Sequence, residues 1–248
     1  MNPKGIISIA LICLLGLSSY IFLISEDPIT RGDTYFKQMR YLDAMAWYSL
    51  DSNNAQVQWR IARAAVCYGE TSADNLKEGF FRKGEKAARK SIQLDNQNAN
   101  GHTWLAAALG NIAMYEGSKA KVHLVIEIRS ELDIAISLNP KDDIAYSILG
   151  SVYRELGHIS WLERNLALAF IGKIPDGGYP DSEKAFKRAI ELAPNVMRNW
   201  FELGLLYQYW DKPDLAKYAF NRAKICPITI LSDKDRLIDI AKYLEELK

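Results

Sequence analysis

The sequence predicts an all-α solenoid of antiparallel helix pairs, with an inserted helix in the fourth pair and one apolar helix ahead of the array. Three observations carry this. Apolar residues recur at helical spacing along most of the chain. Such stretches come in pairs, divided by short polar or Pro/Gly breakers, in units of about 34 residues. No run alternates with period two for long enough to make a strand. The 248 residues suffice for one such domain, and a net charge of +1, from 31 basic and 30 acidic residues, argues against a nucleic-acid partner. Cys13, Cys67 and Cys226 lie far apart and form neither metal-ligand spacing nor a disulfide framework.

In chain order, Gly5–Ser25 comes first, 21 residues without a charge, preceded by Lys4 and followed by Glu26 and Asp27. That length matches the roughly 20 residues that cross a bilayer core, so residues 1–25 read as a single transmembrane anchor, with a cleaved signal segment as the alternative. The flanking charges favour a cytoplasmic amino terminus, with the remainder across the membrane. Residues 26–31 read as a short linker and 32–248 as the helical domain.

The first hairpin, Gly32–Asp51, carries Gly32, Tyr35, Ala44 and Tyr48. A second unit opens at Ala55 with Trp59, Arg60, Ala62 and Arg63 and, after a polar break at Thr71–Asn75, continues as a helix from about Lys77 to Leu94. The third opens at His102–Ala106 and returns through a long helix ending at Asn139-Pro140. The fourth shows Tyr146, Leu149, Gly150 and Tyr153, but its second helix, Ser182–Ala193, is postponed by an additional helical segment, His158–Ile171. The fifth, Asn195–Pro227, is the most regular. Trp200, Leu203 and Tyr207 share one helix face, Ala216, Phe220 and Ala223 the next, and Pro213 stands where the second helix starts. Gly204 and Ala216 are small, which lets the two helices approach closely. Ser232–Leu247 reads as a final helix, with Ser232 and Asp235 as an approximate capping box.

With Met197 as position 1, Trp200, Leu203, Gly204, Tyr207, Ala216, Phe220 and Ala223 occupy positions 4, 7, 8, 11, 20, 24 and 27, a spacing that resembles the tetratricopeptide repeat (TPR). A more specific series is Trp59-Arg60 with Ala62-Arg63-Ala64, His102 with Trp104, Tyr115-Glu116-Gly117 with Lys119, Leu138–Asp142, and Trp161 with Arg164 before the Pro175 loop. In this order it is similar to the regulator of microtubule dynamics family, over roughly Gly32–Leu247. The resemblance implies a helical interaction domain; eukaryotic members are associated with microtubules and, when anchored, with organelle contact and lipid handling.

Chemistry is sparse. His102, His123 and His158 have no partner at metal-ligand spacing, and the chain has no Gly-rich phosphate loop, zinc-protease helix or Gly-x-Ser-x-Gly elbow. No catalytic residue, metal or cofactor is expected. In TPR arrays the first helix of each pair lines the concave groove, so the resemblance points to Arg60, Arg63, Arg154, Arg198, Gln208 and Tyr209. Groove arginines suit a carboxylate or phosphate held bidentately. The competing reading is that Arg60 and Arg63 pair with acids of neighbouring helices and hold the units together. Lys77, Arg82, Lys83, Lys86 and Lys90 form a basic helix that either meets anionic lipid headgroups or is a solvated face.

The expected function is therefore a non-catalytic, membrane-anchored TPR-like scaffold for an unspecified protein or peptide partner. The alternatives are a lipid-binding or lipid-transfer module, or a microtubule-associated adaptor in a cytosolic eukaryotic setting. The expected location is a single-pass membrane protein. Its helical domain would be extracytoplasmic (periplasmic) in a bacterium, or on the cytosolic face of an organelle membrane in a eukaryote.

Overall fold

The computed structural model describes residues 27–159 and 175–248, and every described element is helical. In order these are α1 (Pro28–Lys37), α2 (Tyr41–Tyr48), α3 (Ala55–Thr71), α4 (Asp74–Leu94), α5 (Ala99–Ile112), α6 (Ser118–Leu138), α7 (Asp143–His158), α8 (Tyr179–Leu192), α9 (Met197–Tyr209), α10 (Pro213–Lys224) and α11 (Asp233–Glu246). Single 3₁₀ turns follow α2 and α5. The helices pack as hairpins: α1 on α2, α3 on α4, α5 on α6, α7 on α8 and α9 on α10, with α11 against α9 and α10. The first helices also touch one another along the array, α3 on α5, α5 on α7 and α7 on α9, which makes a solenoid.

Close approach within a hairpin depends on a glycine facing a ring. A Cβ on Gly204 would lie 2.5 Å from the Phe220 ring, and one on Gly150 would lie 2.6 Å from Phe186. Gly32 meets Tyr48 in the same way in the first unit. The rings this admits are fully buried and anchor the core. Two cores form: one from α1 through the start of α8, the other from Phe186 through α11.

Four of the five first helices are started by Asx side chains. Asp27, Asn54, Asn98 and Asp142 each accept from a backbone N–H in the first turn of α1, α3, α5 and α7, satisfying donors that have no partner within the helix. Asp142 does more, because its second oxygen accepts the Thr103 hydroxyl of α5 at 2.6 Å in a buried position. One residue thus caps a helix and joins two units. The turns of the first and fifth hairpins close alike. Met39 and Asp211 take positive φ, 62° and 54°, and the next amide returns to a carbonyl five residues back, Arg40 to Tyr35 and Lys212 to Tyr207.

Several expectations are revised. Residues 28–31, read as linker, are the first turn of α1, and α4 starts at Asp74 rather than Lys77. Ser232 precedes α11 but does not cap it: its hydroxyl donates across the molecule to Glu70 at 2.6 Å. The postponed second helix of the fourth unit is α8; of the additional helix expected over His158–Ile171, His158 ends α7 and 160–171, with Trp161 and Arg164, lies outside the described residues.

The expected membrane topology is corrected. Among the described residues no helix is long and apolar enough to cross a membrane. The two longest, α4 and α6, have 21 residues each but carry charged side chains throughout their length, because each buries one stripe and leaves the rest in water. A single-pass protein with an extracytoplasmic domain, or one on an organelle membrane, is therefore not supported. The 1–25 segment on which that expectation was based lies outside the described residues.

Candidate functional site

The inner faces of α3, α5, α7 and α9 enclose a groove of about 690 Å³. Its floor is apolar. Val66 and Cys67 come from α3, Trp104 and Ala107 from α5, and Ile144, Ile148 and Val152 from α7. The last three stand at i, i+4 and i+8, so one stripe of α7 faces the opening. One wall is made by the connection between α10 and α11 and the start of α11, through Thr229, Ile230, Asp233 and Arg236.

Charge is arranged around this floor as pairs. Arg63 Nη2 meets Asp33 of α1 at 2.8 Å, and its guanidinium lies 3.8 Å from the Phe36 ring centre. Arg154 Nη1 meets Glu202 of α9 at 2.7 Å, and Arg198 meets Asp143 of α7 at 3.4 Å. Burial disfavours the Glu202 carboxylate, but Arg154, with Arg236 and Arg198 farther off, outweighs it and holds this group below the usual carboxylate range. Asp33 behaves alike: burial is overcome by the hydrogen bond from Tyr48 and the charges of Arg60 and Arg63. The Cys67 thiol is pushed up by burial and by Glu70, so it stays protonated.

The structure brings together three of the six groove candidates. Arg63, Arg154 and Arg198 line the groove, each occupied by an acid of a neighbouring first helix. Arg60 also holds Asp33, at 3.2 Å, but lies outside the groove lining with its guanidinium over Trp59. Gln208 is half-buried on α9. Tyr209 is 52% exposed at the end of α9, edge-on to His158 and 5.6 Å from the Arg154 guanidinium. Pairing between units is thus the arrangement of the predicted arginines.

The basic helix α4 points away from this groove. Lys77 pairs with Asp74, Arg82 with Glu78 and Glu116, and Lys90 contacts Gln93, whereas Lys83 and Lys86 are exposed. His102 is 4% exposed and structural: Nδ1 faces Glu131 of α6 at 2.5 Å and Nε2 faces the Asn96 carbonyl at 3.1 Å. Burial opposes its charge, yet those two acceptors prevail and raise its pKa above the ordinary histidine value. Among the described residues no group of His, Cys, Asp and Glu is placed to hold a metal ion.

Sequence reasoning missed the acids that complete the site, Asp33, Glu70, Asp143 and Glu202, and the wall residues Thr229 and Arg236. The stripe Ile144, Ile148 and Val152 was available as a signal, being apolar at helical spacing on a first helix.

Comparison with known proteins adds to this geometry. The family model described as regulator of microtubule dynamics protein 1-3 matches residues 29–248. The chain is 27% identical over 197 residues to regulator of microtubule dynamics protein 1 of Bos taurus, covering 78% of this chain and 62% of that protein. It is 26% identical over 199 residues to regulator of microtubule dynamics protein 2 of Mus musculus, covering 79% of this chain and 48% of that protein. The chain thus spans between about half and two thirds of the length of these relatives. Among solved structures, a thermophilic TPR protein of Thermus thermophilus superposes with a TM-score of 0.63 at 18% identity, covering 88% of this chain and 97% of that one. At that identity the likeness speaks for the fold: an all-helical TPR-like solenoid.

Proposed function

This chain belongs to the regulator of microtubule dynamics family, and we propose that it acts as a non-catalytic TPR-like scaffold that holds a segment of a protein partner in the groove between α3 and α9. The observation that carries this is the groove itself. It is concave and of a size that buries a compact ligand or a few side chains, and its apolar floor is rimmed by polar groups at fixed positions. Because Arg63, Arg154 and Arg198 each already face an acid, the rim is close to charge-balanced, and recognition rests on apolar side chains entering over Ile144, Ile148 and Val152.

The test compares wild type with Ile148→Arg, which puts an unpaired charge on the floor. Partners recovered from a lysate by wild type and lost with Ile148→Arg support the reading. Identical recovery with both, or turnover of a substrate by the purified chain, overturns it.

A second reading is favoured by the apolar share of the lining: an amphiphile such as a single-chain lipid would lay its tail on the same floor. Displacement of a fluorescent fatty acid from wild type but not from Ile148→Arg would select it. The names of the relatives supply a third, association with microtubules, for which the exposed Lys83 and Lys86 on the outer face of α4 offer a basic surface. Co-pelleting with polymerised tubulin that survives Ile148→Arg and fails with Lys83→Glu/Lys86→Glu would favour it over the groove.

A further inference from the structure

Among the described residues, broad helix-on-helix packing runs between units adjacent in the chain. The first units and the last are nonetheless joined, by a strap. After α10 the chain crosses back from Ile225 to Ser232 before entering α11, and four contacts hold it and the start of α11 to earlier units. The Leu231 N–H donates to Tyr41 Oη at 2.9 Å, across a separation of 190 residues. The Leu231 side chain packs on the core that runs from α1 to the start of α8 rather than on that of the last unit. Glu70 of α3 accepts from the Ser232 hydroxyl at 2.6 Å and faces Arg236 at 3.6 Å.

Asp233, 1% exposed, keeps the strap in shape by accepting from the N–H groups of Thr229 at 2.8 Å and Ile230 at 3.1 Å and from Arg236 at 3.0 Å. Thr229 and Ile230 then form a wall of the groove.

We infer that this strap is a latch: Tyr41 and Glu70 hold it shut, and its release separates the first units from the last and opens the groove. Among the described residues the attachment is two hydrogen bonds, one ion pair and one half-buried leucine, whereas each hairpin is held along whole helices. A segment with so few buried contacts opens locally at lower free energy than the elements it joins. Two of its apolar residues, Ile225 at 71% and Ile228 at 42% exposure, add little to the closed state. Asp233 binds strap to α11, so strap and helix move together while the hairpins stay intact. The inference rests on the groove being the binding site only for its purpose; opening itself is measured without any ligand, so it can fail while that reading stands.

The test uses the full chain with Cys13→Ser and Cys226→Ser, which leaves Cys67 on the groove floor as the sole thiol. The readout is its rate of reaction with an aromatic disulfide reagent under native conditions. Tyr41→Phe removes the acceptor for Leu231, and Ser232→Ala removes the donor to Glu70. The latch predicts that each raises the Cys67 rate several-fold, and both together by about tenfold or more. Hydrogen exchange of the Leu231 amide should be at least about tenfold faster than that of buried α3 amides. Ser91→Ala, which removes the buried hydroxyl contact to Ala55 away from the strap, controls for general loosening. The latch is overturned if Cys67 reacts at the wild-type rate in both strap variants. It is equally overturned if Ser91→Ala accelerates the reaction as much as they do, or if the Leu231 amide exchanges together with the α3 core.

Discussion

Arg154 of α7 and Glu202 of α9 meet at 2.7 Å on the inner face of the solenoid, with 11% and 19% of their side chains exposed. The Ser151 hydroxyl of α7 contacts the same Glu202 oxygen at 3.3 Å. An arginine on the groove side of one first helix is thus matched by an acid on the next, and the pair fixes the spacing of two units.

Glu202→Gln is expected to destabilise the protein by about 2 kcal/mol, below the roughly 3–5 kcal/mol of a fully buried pair because water still reaches both groups. The double variant Arg154→Met/Glu202→Leu should recover most of that loss. Urea denaturation of the single and double variants measures both; a double variant no more stable than Glu202→Gln would show that the pair is not the unit of stabilisation.

Asp142→Ala is expected to cost about 2 kcal/mol, at the upper end for an N-cap. Two first-turn amides of α7 lose their acceptor, and the buried Thr103 hydroxyl loses its partner as well. Thr103→Val should cost less, since it leaves the cap in place. Equal losses from the two would assign the whole effect to the link between units.

Gly204→Ala should destabilise by about 1–3 kcal/mol, because the added carbon meets the Phe220 ring at 2.5 Å and the helices must move apart. Gly79→Ala is its counterpart. Nothing lies within 4 Å of a Cβ there, on an exposed face of α4, so it should stabilise by about 0.5–1 kcal/mol through helix propensity alone. Thermal melts that shift the same way for both would sink the packing account.

His102 makes stability depend on pH. Its pKa is raised in the folded protein, so its contribution is fully present below the unfolded value of about 6.5 and is lost as pH rises through the folded value. Denaturation midpoints for wild type and His102→Gln, taken across that range, should converge on the alkaline side. A constant gap would mean that the imidazolium form contributes nothing to the contact with Glu131.

The repeat frame was legible because it is local. Gly204 before Phe220 and Pro213 at a helix start are read from neighbours a turn or a hairpin away, and the structure repeats them. The Asx caps were equally local and went unread: Asn54, Asn98 and Asp142 each stand just before a first helix. The roles of the arginines were not legible. A guanidinium at a groove-facing position looks the same in sequence whether it awaits a ligand or faces Asp33, Asp143 or Glu202, since the partner lies 30 to 55 residues away. Ser232 was misread for a related reason. Its spacing to Asp235 mimics a capping box, but the competing acceptor, Glu70, is 162 residues distant.

The bond between Tyr41 and Leu231 also bears on how the chain reaches its fold. A solenoid held only by neighbours behaves as a one-dimensional array, able to nucleate anywhere and to melt from its ends. Here the final unit is fastened to the first, so a loop spanning most of the chain must close before the last contacts form, and such closure is slow. The expected consequence is that Tyr41→Phe changes the slowest phase of refolding more than the growth of the hairpins, which stopped-flow refolding of the two proteins would check. In the finished molecule the same fastening opposes fraying at the carboxyl end, because strap and α11 together cannot peel away without releasing Tyr41 of α2 and Glu70 of α3.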